Sequence, residues 1–236
     1  MKNVPNIKIF ADGAVLEDVP KLIAKGNLQG FTTNPTLMAK AGVKDYEGFA
    51  KEFLAAAKGL PVSLEVFADD LENMTRQARI LAGWGDNVFV KIPITNTAGV
   101  STAAAITRLS KEGVKLNVTA VFTREQIDGL WPCLTAGVPS IISVFAGRIA
   151  DAGVDPQPTV RYAVEVSKAI PGAEVLWASC REIFSVVRAA EVGCQIITVP
   201  NDMLKKLEMF GRDLGEISLD TVKMFYNDAT SSGFQL

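Results

Sequence analysis

VFVKIPI, residues 88–94, sets one lysine in a run whose other members are all apolar and suited to a buried strand. Similar short runs precede it, IKIF at 7–10, GFTT at 30–33 and VSLEVF at 62–67. Four more follow: KLNVTAV at 115–121, SIISVF at 140–145, EVLWAS at 174–179 and QIITVP at 195–200. Stretches of helical periodicity such as EDVPKLIAKG, YEGFAKEFLAAAK and AAAITRLSKEG lie between them. Strand runs that alternate with helices predict parallel βα units. Eight such units in 236 residues predict an α/β fold closed as a single (β/α)8 TIM barrel, one domain spanning residues 1–236. An open doubly wound sheet is the competing topology, but it usually carries a GxGxxG or Walker turn after its first strand, and neither is present.

The bulk composition narrows the function by exclusion. With 48% hydrophobic and 21% charged residues the chain can bury a substantial core. Its 24 basic and 26 acidic side chains leave a net charge of -2, so no overall field attracts nucleic acid or an anionic membrane, and neither is expected as a partner. No apolar run approaches the roughly 18–20 residues of a membrane span, and MKNVPNIKIFADG lacks the apolar core of a signal peptide, so a cytoplasmic location is expected. Cys133, Cys180 and Cys194 have no CxxC spacing and read as reduced thiols. The absence of histidine removes Ser-His-Asp and Cys-His triads and HExxH zinc sites together. Proton transfer is left to carboxylates, lysine, tyrosine or water, and no metal or cofactor is expected.

Burial within a strand is expected to disfavour the charged form of Lys91, and a free amine there would attack carbonyl carbons, the basis of Schiff-base catalysis. A buried ion pair, or a lysine that snorkels to water, would fit the same run. Polar residues stand near the C-terminal end of nearly every other predicted strand: Asp12, Thr32 and Asn34, Glu65, Asn117 and Thr119, Ser143, and Ser179 with Arg181. That rim is where barrel enzymes build their sites. Residues two apart on a strand share a face, so Thr32 with Asn34, Asn117 with Thr119, and Ser179 with Arg181 are expected to converge in pairs. Each has a plainer reading too, since Asp12 and Thr33 can cap helices and Asn34-Pro35 can begin a turn.

GFTTNPT at 30–36, VKIPIT at 90–95, LNVTAVFT at 116–123, ISVFAGR at 142–148 and ASCRE at 178–182 resemble the motifs of the short transaldolase family, which includes the fructose-6-phosphate aldolases. The resemblance runs from Ile7 to about Val199, and its motifs occur in the family's order. It implies that Lys91 forms a Schiff base with the C2 ketone of a sugar phosphate. Asp12 then takes the C4 hydroxyl proton as the C3–C4 bond breaks, and a dihydroxyacetone unit passes to an aldose phosphate. It further implies that Glu65 and Thr119 position a catalytic water, and that Thr32, Asn34, Asn117, Ser143 and Phe145 contact the donor. Arg148, Ser179 and Arg181 would bind its phosphate through hydrogen bonds that arginine can make in pairs. For Arg148 a rim salt bridge is the plainer reading.

Within the resemblance, Glu65 and Phe145 stand where the aldolases carry glutamine and tyrosine, and Asn117 points the same way, so transaldolase chemistry is implied over aldolase chemistry. Val144, Cys180 and Ala11-Asp12-Gly13 depart from the family pattern beside functional positions, which leaves open another anionic ketose such as a sulfonated sugar. A silent barrel that binds sugar phosphates, or a deoxyribose-phosphate aldolase, would also suit a lysine-bearing barrel. The resemblance further implies a place in the pentose phosphate pathway and a homo-oligomer, a pentamer or a decamer. The tail from 213 to 236 carries Ile217, Leu219, Val222, Phe225 and Tyr226, and is expected to be a helical segment that docks on the barrel or a neighbouring subunit.

Overall fold

The computed structural model describes residues 4–235. Its eight strands are β1 Lys8–Asp12, β2 Gly30–Thr32, β3 Val62–Glu65, β4 Val88–Pro93, β5 Leu116–Val121, β6 Ser140–Val144, β7 Ala173–Trp177 and β8 Ile196–Pro200. They pair in parallel in sequence order and close through β1 and β8 into a barrel. The helices are α1 Val19–Ala24, α2 Pro35–Lys40, α3 Tyr46–Ala56, α4 Leu71–Ala82, α5 Ala103–Lys111, α6 Arg124–Leu130, α7 Ala146–Asp151, α8 Gln157–Ser167, α9 Ser185–Glu191, α10 Asn201–Leu204 and α11 Leu214–Ser232. The α/β barrel and the C-terminal helix are as the sequence pattern predicts.

Alternation along the strands divides the apolar residues into two cores. Outward-facing residues such as Ile9, Val62, Leu64, Val90, Ile92, Leu116 and Val118 belong to the large core under the helices. Inside the barrel a separate, smaller cluster forms from Phe10, Ile141, Leu176, Ala178 and Ile196, with Phe89 and Phe145 packed against it. Each of four strands then places a polar residue two positions beyond its apolar one, on the same face: Asp12 after Phe10, Lys91 after Phe89, Ser143 after Ile141, Thr198 after Ile196. The lumen is therefore plugged with hydrocarbon below and polar at its C-terminal rim. At the opposite end, Lys8 pairs with Glu174 at 2.7 Å, bridging β1 and β7.

Several strands end earlier than the sequence runs suggest, although β5 and β8 end where their runs do and β1 extends two residues past its own. The run at 30–33 gives a strand only to Thr32, because Asn34 turns to cap α2, its side chain accepting from the Leu37 amide at 2.9 Å. Thr33 caps nothing and bonds the Ser63 carbonyl instead. The run at 62–67 stops at Glu65, and the run at 140–145 stops at Val144, with Phe145 at the start of α7. The run at 174–179 ends at Trp177, and Ser179 lies beyond it with φ of 62°. Ser179 and Arg181 are thus not a strand pair, and their convergence has a different origin.

Helix α11 presents large apolar side chains to solvent, among them Leu219, Val222, Phe225 and Tyr226, and none of its residues is buried. The option that the tail docks on its own barrel is therefore set aside. Among the described residues no helix is long and apolar enough to cross a membrane. Cys133, Cys180 and Cys194 are free and buried.

Candidate active site

A cavity of about 500 Å³ opens at the C-terminal rim, within the size range of small-molecule sites. Asp12, Thr32, Asn34, Glu65, Lys91, Thr119, Ser143, Phe145, Arg148, Ser179 and Arg181 all line it. Among the side chains singled out in the sequence for the site, Asn117 alone is absent from that wall. It is fully buried, its amide donating to Ser63 Oγ at 2.9 Å and accepting from Ser143 Oγ at 2.7 Å. Asn117 thus fixes Ser143 from below rather than facing the cavity.

Strand register sets Lys91 beside Glu65 on β3 and beside Asn117 on β5. Lys91 is 6% exposed; its ammonium donates to the Thr33 carbonyl at 2.9 Å and lies 3.0 Å from Glu65 Oε2. The lysine is therefore ion-paired, as a charged group in such an apolar run can be. The pair borders the cavity rather than being sealed in the core. A buried ion pair is weak evidence for a stabilising role, because desolvation of both charges offsets their attraction.

Asp12 lies across the lumen on β1, in register with Thr32, whose hydroxyl donates to Asp12 Oδ1 at 2.8 Å. Burial pushes the Asp12 carboxyl above its ordinary range; the Thr32 hydrogen bond and the Lys91 charge act against that, and the Glu65 charge adds to it. Thr32 Oγ1 also lies 2.5 Å from Thr198 Oγ1 on β8. Thr198 was not singled out in the sequence, although it follows the lumen-facing Ile196 by two residues. Thr119 lines the cavity, and its Oγ1 is buried without a hydrogen-bond partner among the described residues. Thr119 precedes a bulge on β5, where Ala120 takes φ of 59°.

The cationic side of the cavity is built by close approach of α7 to the segment after β7. A side chain on Gly147 would put its Cβ 1.6 Å from the Ser179 carbonyl oxygen, and the Gly147 amide donates to Ala178 O at 3.2 Å. This contact brings Arg148 of α7 and Arg181 together. Arg148 lies over the Phe145 ring, 5.7 Å from its centroid, and forms no ion pair among the described residues. Arg181 is the paired one, making a two-pronged contact with Asp151 in which its Nη2 lies 2.6 Å from Oδ2. The salt bridge anticipated for Arg148 thus belongs to Arg181. Cys180 is buried, its thiol pKa raised by desolvation, and it donates to the Glu182 carbonyl at 3.1 Å. Among the described residues no cluster of three His, Cys, Asp or Glu could hold a metal ion.

A closed eightfold barrel thus sets a lysine, two carboxylates and two arginines around one cavity at its C-terminal rim. The family model described as Transaldolase/Fructose-6-phosphate aldolase matches residues 9–235, and the chain belongs to that family. A probable transaldolase of Methanococcus maripaludis is 39% identical, over 85% of this chain and 89% of its own length. One from Dehalococcoides mccartyi is 36% identical over 85% and 90%. A probable transaldolase 2 of Listeria monocytogenes is 37% identical over 85% and 88%. Among solved structures, a putative phosphonomutase from Burkholderia cenocepacia aligns over 96% of both chains with a TM-score of 0.57 at 11% identity. An HpcH/HpaI aldolase from Desulfitobacterium hafniense covers 95% of this chain and 93% of its own with a TM-score of 0.52 at 12% identity, a likeness of fold alone. The protein is accordingly an enzyme of the transaldolase and aldolase type.

Proposed function

We propose that the chain is a class I transaldolase that moves a dihydroxyacetone unit from a ketose phosphate, sedoheptulose 7-phosphate or fructose 6-phosphate, to glyceraldehyde 3-phosphate or erythrose 4-phosphate. The observation that carries this reading is the Lys91–Glu65 pair at 3.0 Å on the wall of a cavity that also holds Asp12 and the unpartnered Thr119 hydroxyl. Glu65 takes the ammonium proton, and the free amine of Lys91 adds to the C2 carbonyl. Water bound between Glu65 and Thr119 Oγ1 carries protons as the carbinolamine loses water to give the imine. Asp12 removes the C4 hydroxyl proton, the C3–C4 bond breaks, and its electron pair enters the enamine as the aldose phosphate departs. The enamine then attacks the acceptor aldehyde, which recovers the proton from Asp12, and hydrolysis frees the new ketose.

Thr32, Asn34 and Ser143 hold the donor hydroxyls in this reading, Asn117 acts through Ser143, and Phe145 is a wall without a hydroxyl to protonate the enamine. Arg148, Arg181 and Ser179 hold the phosphate. The chain works as one domain, in the cytoplasm, and α11 docks on a neighbouring subunit of a pentamer or decamer. Product analysis separates the two chemistries of the family. Fructose 6-phosphate with erythrose 4-phosphate is expected to yield sedoheptulose 7-phosphate, with little dihydroxyacetone released when the acceptor is left out. Stoichiometric free dihydroxyacetone without acceptor would make the protein an aldolase instead.

A further inference from the structure

The arginine clamp contains an anion of its own. Arg148 and Asp151 lie three residues apart on α7, and so on neighbouring surface positions of that helix, where Asp151 grips Arg181 of the segment after β7. Arg181 commits Nε and Nη2 to that carboxylate, which leaves Nη1 and Arg148 to meet a ligand. Both partners are half exposed, 49% and 51%, and an ion pair in that setting adds little to stability. Its effect on an incoming anion is larger in kind: two guanidinium charges and one carboxylate leave the clamp with a net charge of about +1. A phosphate monoester carries roughly -1.5 to -2 near neutral pH, whereas a sulfonate carries one negative charge, so repulsion from Asp151 costs a phosphate more.

We propose that Asp151 is a specificity-determining residue for the anionic head group, an internal counter-ion that weights the Arg148–Arg181 clamp against dianions and towards monoanions. The inference rests on the reading of the two arginines as the head-group site. Glycerol 3-phosphate and its monoanionic sulfonate isostere lack a carbonyl, cannot react with Lys91, and serve as probes in isothermal titration calorimetry. Asp151→Asn is expected to tighten the phosphate about fivefold and the sulfonate about twofold, since the removed repulsion scales with ligand charge. Arg181→Ala is expected to weaken both. Loss of binding in Arg181→Ala without tightening in Asp151→Asn would overturn the inference alone, and equal weakening of both probes in Asp151→Asn would make the aspartate a mere holder of Arg181. Binding untouched by Arg181→Ala would remove the clamp, and the inference with it.

Discussion

Asp12 works against its surroundings, and that opposition can be measured. Burial raises its pKa, so the folded protein holds this proton more tightly than the unfolded chain does. Stability therefore falls as pH rises from the ordinary carboxylate value to the folded one, and the loss persists above it. Asp12→Asn is expected to unfold at a higher temperature than the parent at neutral pH while transfer slows by about 10²–10⁴-fold, a lower melting temperature being the contrary result. Thr32→Val deletes a hydrogen bond that lowers the Asp12 pKa. The acid limb of kcat/KM is expected to move to higher pH in that variant, and a limb that stays put would show that another group titrates. Asp12, Thr32, Glu65, Lys91 and Ser143 were legible in the sequence as polar residues at the ends of strand runs, whereas Asn34, Phe145, Ser179 and Arg181 lie beyond the strands, where alternation assigns no face. What alternation could not reveal were partners from other strands or helices: Ser63 beneath Asn117, Thr198 beside Thr32, and Asp151 on Arg181.

At the scale of elements, the cationic side depends on one glycine. Gly147 lets α7 rest on the carbonyl of Ser179, and through it Arg148, Asp151 and Arg181 share one corner. Gly147→Ala must push the helix or the loop away, an overpacking expected to cost about 1–3 kcal/mol in urea unfolding. It is also expected to raise KM for anionic donors more than it lowers kcat, and unchanged stability together with unchanged KM would contradict the close contact. The order and number of the strands were readable from their apolar runs, whereas their ends were not. GFTT and EVLWAS continue in residue types that suit a strand, yet Asn34 leaves to cap a helix and Ser179 adopts a left-handed conformation. The first departure carries a local signal, an N-cap asparagine with Pro35 at the first helical position, whereas the Ser179 conformation goes with its packing against Gly147, which no local pattern encodes.

For the whole molecule, the notable surface is α11, where Leu219, Val222, Met224, Phe225 and Tyr226 are exposed together. Large apolar side chains left in water along one helix are the surface on which we propose that a neighbouring subunit docks. A variant ending at Asp213 is expected to keep the barrel folded, because no residue of α11 is buried, and to sediment as a smaller assembly than the full chain. Equal sedimentation would place the subunit contacts elsewhere. In the proposed mechanism the lysine in VFVKIPI is a nucleophile and not the inert half of an ion pair. Borohydride reduction in the presence of fructose 6-phosphate, followed by peptide mass spectrometry, tests it directly. A reduced three-carbon adduct is expected on Lys91, discharged when erythrose 4-phosphate is added before the reductant. An adduct on another lysine, or none on a folded protein that binds the donor, would contradict it.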